Sequence, residues 1–232
     1  MPAKTITDIE EIRKHVQAEY WKKGSVTAPT KDFYINWWWN ERLVEALEQG
    51  YSLRNKRIVD LGCAYGSVVA AMIKAGHDAY GIDLSDFGIA EGQKEYSLLE
   101  SKTIQGSIHD LSCYPSEHFH FLFSNQVFEH LPGHLCETLA VETFRVAKPK
   151  AVLWAGLVLD ISSDYQPQGF DPKDPDPTHI NIRPKAWWDE KFIKAGWVIN
   201  DEFDETFRKH ELSDGYSFFK DYDWHSICYK KL

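Results

Sequence analysis

Between residues 5 and 23, Ile6, Ile9, Ile12 and Val16 recur at three- and four-residue spacing, which predicts an amphipathic helix. A break at 24–30 separates it from a second helical segment, about 31–48, closed by Gly50. From Arg57 onward the pattern changes, and short apolar runs alternate with helical stretches. Strands are expected at 57–61, 79–82, 103–105, 119–124 and 151–159, with helices at 67–75, 86–100 and 132–146. The run 151–159 is apolar on both faces, as a central parallel strand should be. Pro184 opens a further helix through Lys194, ended by Gly196, and 197–207 and 224–230 read as closing strands. The expected fold is α/β: a doubly wound, mainly parallel seven-stranded sheet with helices on both faces and an antiparallel edge hairpin. Residues 160–183 interrupt the rhythm, with Pro167, Pro172, Pro175 and Pro177 set among Asp164, Asp171, Asp174 and Asp176. A loop of that length within a domain is commonly functional or mobile.

At 232 residues, one full-sized domain with an added flank fits best, so 1–50 is read as a helical flank or lid and 51–232 as the main domain. The net charge of −9, with Lys and Arg no denser than Lys22–Lys23, Lys148 with Lys150, and Lys230–Lys231, argues against a nucleic-acid partner. The start of the chain is polar and charged from Lys4 to Lys14, unlike a signal peptide, and the longest apolar run is nine residues, too short to span a bilayer. Cys63, Cys113, Cys136 and Cys228 are spaced without a metal knuckle or redox pair. A cytoplasmic protein without membrane contact is the expectation. The aromatics are plentiful, and Trp37–Trp39 and Trp187–Trp188 suit either a core or a pocket wall.

The most informative segment is Arg57-Ile-Val-Asp-Leu-Gly-Cys-Ala-Tyr-Gly66, a strand leading through a glycine turn into a helix. Gly62 and Gly66 allow a tight turn and a close approach of ligand. Asp83, 21 residues after Gly62, ends the second strand, where a carboxylate accepts hydrogen bonds from ribose hydroxyls. The ligand is therefore expected to contain adenosine. A dinucleotide fingerprint would place glycines where Ala64 and Ser67 stand, so a nicotinamide cofactor is disfavoured.

The V-D-x-G-x-A-x-G pattern resembles motif I of class I, Rossmann-like S-adenosylmethionine-dependent methyltransferases. Ser124-Asn-Gln-Val-Phe-Glu-His-Leu131 is similar to a segment that follows the fourth strand in small-molecule members. The resemblance runs from about Arg57 to Leu159. It implies S-adenosyl-L-methionine as cofactor, held by Asp60, Gly62, Cys63, Ala64 and Gly66 at the turn. It adds Asp83 and Leu84 after the second strand, Ser107 and Ile108 after the third, and Asn125 after the fourth. Ser107 departs from the acid that the family usually places against adenine.

An oxygen or ammonium acceptor must lose a proton as it is methylated, so a base near neutral pKa is useful. His130, Asp160 and His179 lie at expected carboxyl ends of strands or in the loop beside them, where open α/β sheets bind ligands. His179, within Asp176-Pro-Thr-His-Ile-Asn-Ile-Arg183, resembles a segment of small-molecule methyltransferases and is the first choice for base; a loop histidine holding a carbonyl is the alternative. His130 reads equally as a helix cap, and Asp160 as base, cap or metal ligand. Arg183 suits an acceptor phosphate or carboxylate, or a surface ion pair. Tyr34 and Trp37 belong to an aromatic set that either packs as core or forms a lid over the acceptor. Motifs of adenine, glutamine and arginine methyltransferases are missing, which favours a small-molecule acceptor. The acids of 160–183 could bind a divalent ion, but scattered among prolines they read more as a solvated lid, and no metal ligand is assigned. An aminopropyltransferase and a non-catalytic cofactor-binding subunit remain alternatives.

Overall fold

Seven apolar runs build one sheet, in the order β3-β2-β1-β4-β5-β7-β6. They are β1 (Arg57–Leu61), β2 (Asp78–Asp83), β3 (Thr103–Gln105), β4 (Phe119–Asn125), β5 (Ala147–Leu157), β6 (Val198–Ile199) and β7 (His225–Lys230). This structure is a computed structural model, and it describes residues 8–15, 32, 35, 39–50, 56–160, 178–209 and 225–232. The helices are α1 (Ile9–His15), α2 (Trp39–Gly50), α3 (Ser67–Lys74), α4 (Asp86–Glu95), α5 (Cys136–Val146), α6 (Lys185–Lys194) and α7 (Asp201–Lys209). Strands β1 to β5 run parallel, and β7 lies antiparallel between β5 and β6.

Alternation along each strand sorts its side chains into two cores, one per face. Val59, Leu61, Leu122 and Leu153 pack with Leu139 and Ala140 of α5 and Trp188 and Phe192 of α6. Ile58, Phe121, Phe123 and Trp154 pack with Leu43 and Leu47 of α2, Val69 and Met72 of α3, and Phe207 of α7. The second half of the N-terminal flank is thus part of the core, since Leu43 and Leu47 are fully buried and α2 packs on α3 and α7. Chain order leaves β1 in one direction, to β2 and β3, and β4 in the other, to β5. The carboxyl ends of β1 and β4 therefore flank a topological switch point, where such sheets open a ligand crevice.

One expected element is corrected. The strand expected over 197–207 stops at Ile199, and residues from Asp201 to Lys209 form α7. Phe203 and Phe207, four apart, share one helical face; their rings meet Phe121 at 6.1 Å and Trp154 at 5.2 Å. Asp201, Glu202 and Asp204 in the first turn and Arg208 and Lys209 in the last complement the helix dipole. The edge is antiparallel as expected, but α7 stands between its strands, so they do not form a tight hairpin. Elsewhere the bounds shift modestly. β5 begins at Ala147, and the helix expected at 86–100 ends at Glu95, with a 3₁₀ turn at Ser97–Leu99 after it. Tyr34, Trp37 and residues 161–177, with their prolines and acids, lie outside the described residues. No described helix is long and apolar enough to cross a membrane.

Candidate active site

The turn after β1 carries three residues with left-handed backbone: Gly62 at φ 86°, Ala64 at 48° and Gly66 at 70°. The glycines serve neighbouring protein groups more than a ligand. A Cβ on Gly62 would stand 2.3 Å from Val127 Cγ2, and one on Gly66 would stand 2.7 Å from Leu99 Cδ1. Ala64 has no such freedom, and its left-handed conformation costs about 1 kcal/mol. Strain of this kind tends to be kept where it aims a backbone group, and here the aimed group is the Ala64 N–H.

That N–H donates to Asp83 Oδ2 at 2.8 Å, and the Ser85 N–H donates to Oδ1, also at 2.8 Å. Each carboxylate oxygen keeps a lone pair for a ligand hydroxyl. Burial pushes the Asp83 carboxyl up, against the two amides that favour its charged form. The buried Asp60 carboxyl is pushed up to about 8, by desolvation and then by the charge of Asp83. A cationic ligand at the crevice would relieve both acids. Ser67 Oγ, at the start of α3, and Asn125 Oδ1, at the end of β4, are buried with no hydrogen-bond partner among the described residues. Orphaned polar atoms at a crevice suit a polar ligand. Two acids, two unsatisfied polar atoms and a strained amide at one switch point fit a cofactor with ribose hydroxyls and an amino-acid end.

The other expected cofactor residues surround this point unevenly. The Leu84 carbonyl accepts from Gln105 Nε2 at 3.2 Å, and Gly106 N–H donates to the Asp83 carbonyl at 2.8 Å, tying the end of β3 to the site. Ser107 Oγ lies 2.6 Å from His109 Nδ1, and Ile108 sits in the buried core. The Cys63 thiol is buried and pushed well above its usual range by desolvation, and it packs over Gly81, so it serves as filling.

Beyond β4, the structure joins two segments far apart in sequence. The Glu129 carbonyl accepts from Ile180 N–H at 3.1 Å and from Asn181 N–H at 2.9 Å. His130 Nδ1 lies 2.8 Å from Thr178 Oγ1, and the His130 and His179 ring centroids are 4.6 Å apart. The two candidate bases therefore form one pair. Asp160 follows β5, and its N–H donates to the Arg183 carbonyl at 3.1 Å. The Arg183 Nε donates to Asn181 Oδ1 at 3.1 Å, and its guanidinium stands 5.2 Å over the Trp187 ring. Sequence reasoning missed Glu129, Thr178 and Asn181 as site-builders, though all three are buried polar residues. It also missed Ser67 and Ser85. The signal for Glu129 was its place beside His130, and for Thr178 and Asn181 their places on either side of His179.

A methyltransferase-domain family matches residues 59–155. A ubiquinone biosynthesis O-methyltransferase of Methylococcus capsulatus is 32% identical over 112 residues, covering 47% of this chain and 46% of that protein. The alignment thus spans about half of that relative's length. The PH0226 protein of Pyrococcus horikoshii superimposes with a TM-score of 0.62 at 16% identity, over 92% of this chain and 99% of that one. The cyclase SpnF superimposes with a TM-score of 0.57 at 19% identity, over 82% and 81%. At such identities the likeness to these two structures is one of fold, and a fold of this kind hosts more than one chemistry. The motif at Asp60–Gly66, the acid at Asp83, the strand order and the domain match agree: residues 59–155 match a methyltransferase domain, set within a Rossmann-like sheet.

Proposed function

We propose that the chain transfers a methyl group from S-adenosylmethionine to an oxygen or nitrogen atom of a small molecule. The observation that carries this reading is the Ala64–Asp83 hydrogen bond, which fastens the ribose-binding acid to the motif I turn beside the switch point. When bound, the cofactor supplies an electrophilic methyl group on sulfur. What remains for the protein is to orient the acceptor, exclude water and handle the acceptor's proton. Orientation alone can contribute on the order of 7–11 kcal/mol. The cofactor's ribose falls to Asp83, and its amino-acid end to Asp60, Ser67 and Asn125. The proton falls to the His130–His179 pair, with His179 as the principal group and Asp160 as a further candidate. Arg183 is assigned to an anionic group on the acceptor.

The relative named for O-methylation supports an oxygen acceptor over nitrogen. The net charge of −9 supports a small molecule over nucleic acid. The test is to incubate the purified chain with methyl-labelled S-adenosylmethionine and a cell extract separated by size. Label entering the low-molecular-weight fraction, and lost in Asp83→Ala, is the expected result. Label confined to protein or nucleic acid, or none transferred, would refute the reading.

A further inference from the structure

The geometry points to a divalent transition-metal site formed by Glu129, His130 and His179. One ligand atom from each of these residues lies within 4.8 Å of the other two. They come from two segments, the 3₁₀ turn after β4 and the stretch before α6, which the Glu129 carbonyl holds together through the Ile180 and Asn181 amides. In a tetrahedral set, two ligands each at about 2.1 Å from the ion are about 3.4 Å apart. Relative shifts of about 1–1.5 Å between these side chains would therefore close the set.

The surroundings suit ligation. Glu129 is fully buried, and Val158 N–H donates to its Oε1 at 3.3 Å, which fixes the carboxylate's orientation. His130 Nδ1 lies 3.2 Å from the Thr178 carbonyl as well as near its hydroxyl. Donation from Nδ1 to that carbonyl would make Nε2 the ligand atom, and a hydrogen bond of this kind commonly orients a metal-bound imidazole. Two imidazoles and one carboxylate select zinc, iron(II) or cobalt(II) over magnesium or calcium, which prefer all-oxygen sets. Three protein ligands leave open positions for an acceptor oxygen.

This inference rests on the methyltransferase reading for its role and deepens it. A hydroxyl coordinated there would have its pKa lowered, as metal-bound water does. Its O–H bond would break with the proton passing to solvent, and the oxygen would then form the new O–C bond as the C–S bond of the sulfonium breaks. His179 would act in that reaction as a ligand, and the acceptor would be an oxygen nucleophile.

The tag-free full chain, stripped with EDTA, should be titrated with cobalt(II) alone while its visible absorption is followed. Calorimetric binding of S-adenosylmethionine to the same stripped sample runs in parallel. We expect one equivalent of cobalt(II), with d–d bands of nitrogen–oxygen coordination, and displacement by zinc. His179→Ala should weaken binding at least tenfold while keeping its melting temperature; Glu129→Gln tests the buried ligand in the same way. No cobalt(II) uptake by the wild-type chain, or equal uptake by His179→Ala, would overturn the site. If S-adenosylmethionine still binds in that case, the methyltransferase reading stands without the metal. If cobalt(II) binds and the cofactor does not, the metal site stands and that reading falls.

Discussion

Ala64 and Asp83 are 19 residues apart, and the backbone N–H of one donates to the side-chain Oδ2 of the other at 2.8 Å. The glycine turn and the acid of β2 therefore form one rigid unit, so a change in either is felt by the other. The N–H is aimed by a left-handed alanine, at φ 48°, and the carboxylate is steadied on its other oxygen by Ser85.

The glycines of this turn make room for protein side chains, which gives a stability prediction. Gly62→Ala places a Cβ in Val127 at a positive φ and should destabilise the chain by about 1–3 kcal/mol, as overpacking does. Combining it with Val127→Ala should recover part of that loss in chemical denaturation. If the double variant recovers nothing, backbone strain and not crowding sets the cost.

On the proposed function, which puts the His179 ring on the acceptor side, His179→Ala should lower turnover by about 10²–10⁴ with cofactor affinity unchanged. His130→Ala is the matched comparison, since the two rings are 4.6 Å apart. A larger loss at His130 would move the principal role there, and a small loss at both would remove the pair from the chemistry.

With Asp60 at the cofactor's amino-acid end, as proposed, cofactor binding should depend on pH. Its carboxyl is pushed from 3.8 to about 8 by burial and by Asp83, so at pH 7 it is largely protonated. A cationic ligand favours the charged form, so binding should release a fraction of a proton. Calorimetry at pH 7 in two buffers of different ionisation enthalpy reads that release, and Asp60→Asn should abolish it. The raised pKa also makes Asp60's contribution to stability complete below pH 3.8 and lost as pH rises through about 8. Asp60→Asn should therefore gain stability over the wild type at pH 9 and not at pH 4. Equal stability differences at the two pH values would contradict the assignment.

At the opposite end of β2, Asp78 has the reverse linkage. Burial raises its carboxyl, but hydrogen bonds and charges from Lys102 and Arg57 outweigh this and hold it at about 2. Its contribution is present above 3.8 and lost as pH falls through about 2. The pair is over a third exposed, so solvent screens it. Asp78→Asn should melt lower than the wild type at pH 6, with the difference vanishing below pH 2.

Much of this was legible in the residues because local pattern and fold agree. The strand-like runs at Arg57–Leu61 and Thr103–Gln105 have the observed bounds, and Asp83 was recognisable from its distance to Gly62. Residues 197–207 misled because only the apolar start, up to Ile199, is a strand; beyond it the acids of the first turn and the four-residue spacing of Phe203 and Phe207 are what the helix obeys. The pairing of His130 with His179 was not readable. It depends on backbone hydrogen bonds from Ile180 and Asn181 to Glu129, about 50 residues apart in sequence, as long-range loop contacts do. The packing role of Gly62 was equally hidden, since it depends on where Val127 lies in space.

The most direct test of the account is calorimetric titration of the wild-type chain and Asp83→Ala with S-adenosylmethionine, with NAD as the competing adenosine ligand. The account predicts one bound S-adenosylmethionine per chain, and in Asp83→Ala a loss of about 1.5–3 kcal/mol, roughly tenfold to 150-fold, with the fold retained. Unchanged affinity in a folded Asp83→Ala, or tighter binding of NAD than of S-adenosylmethionine, would contradict it.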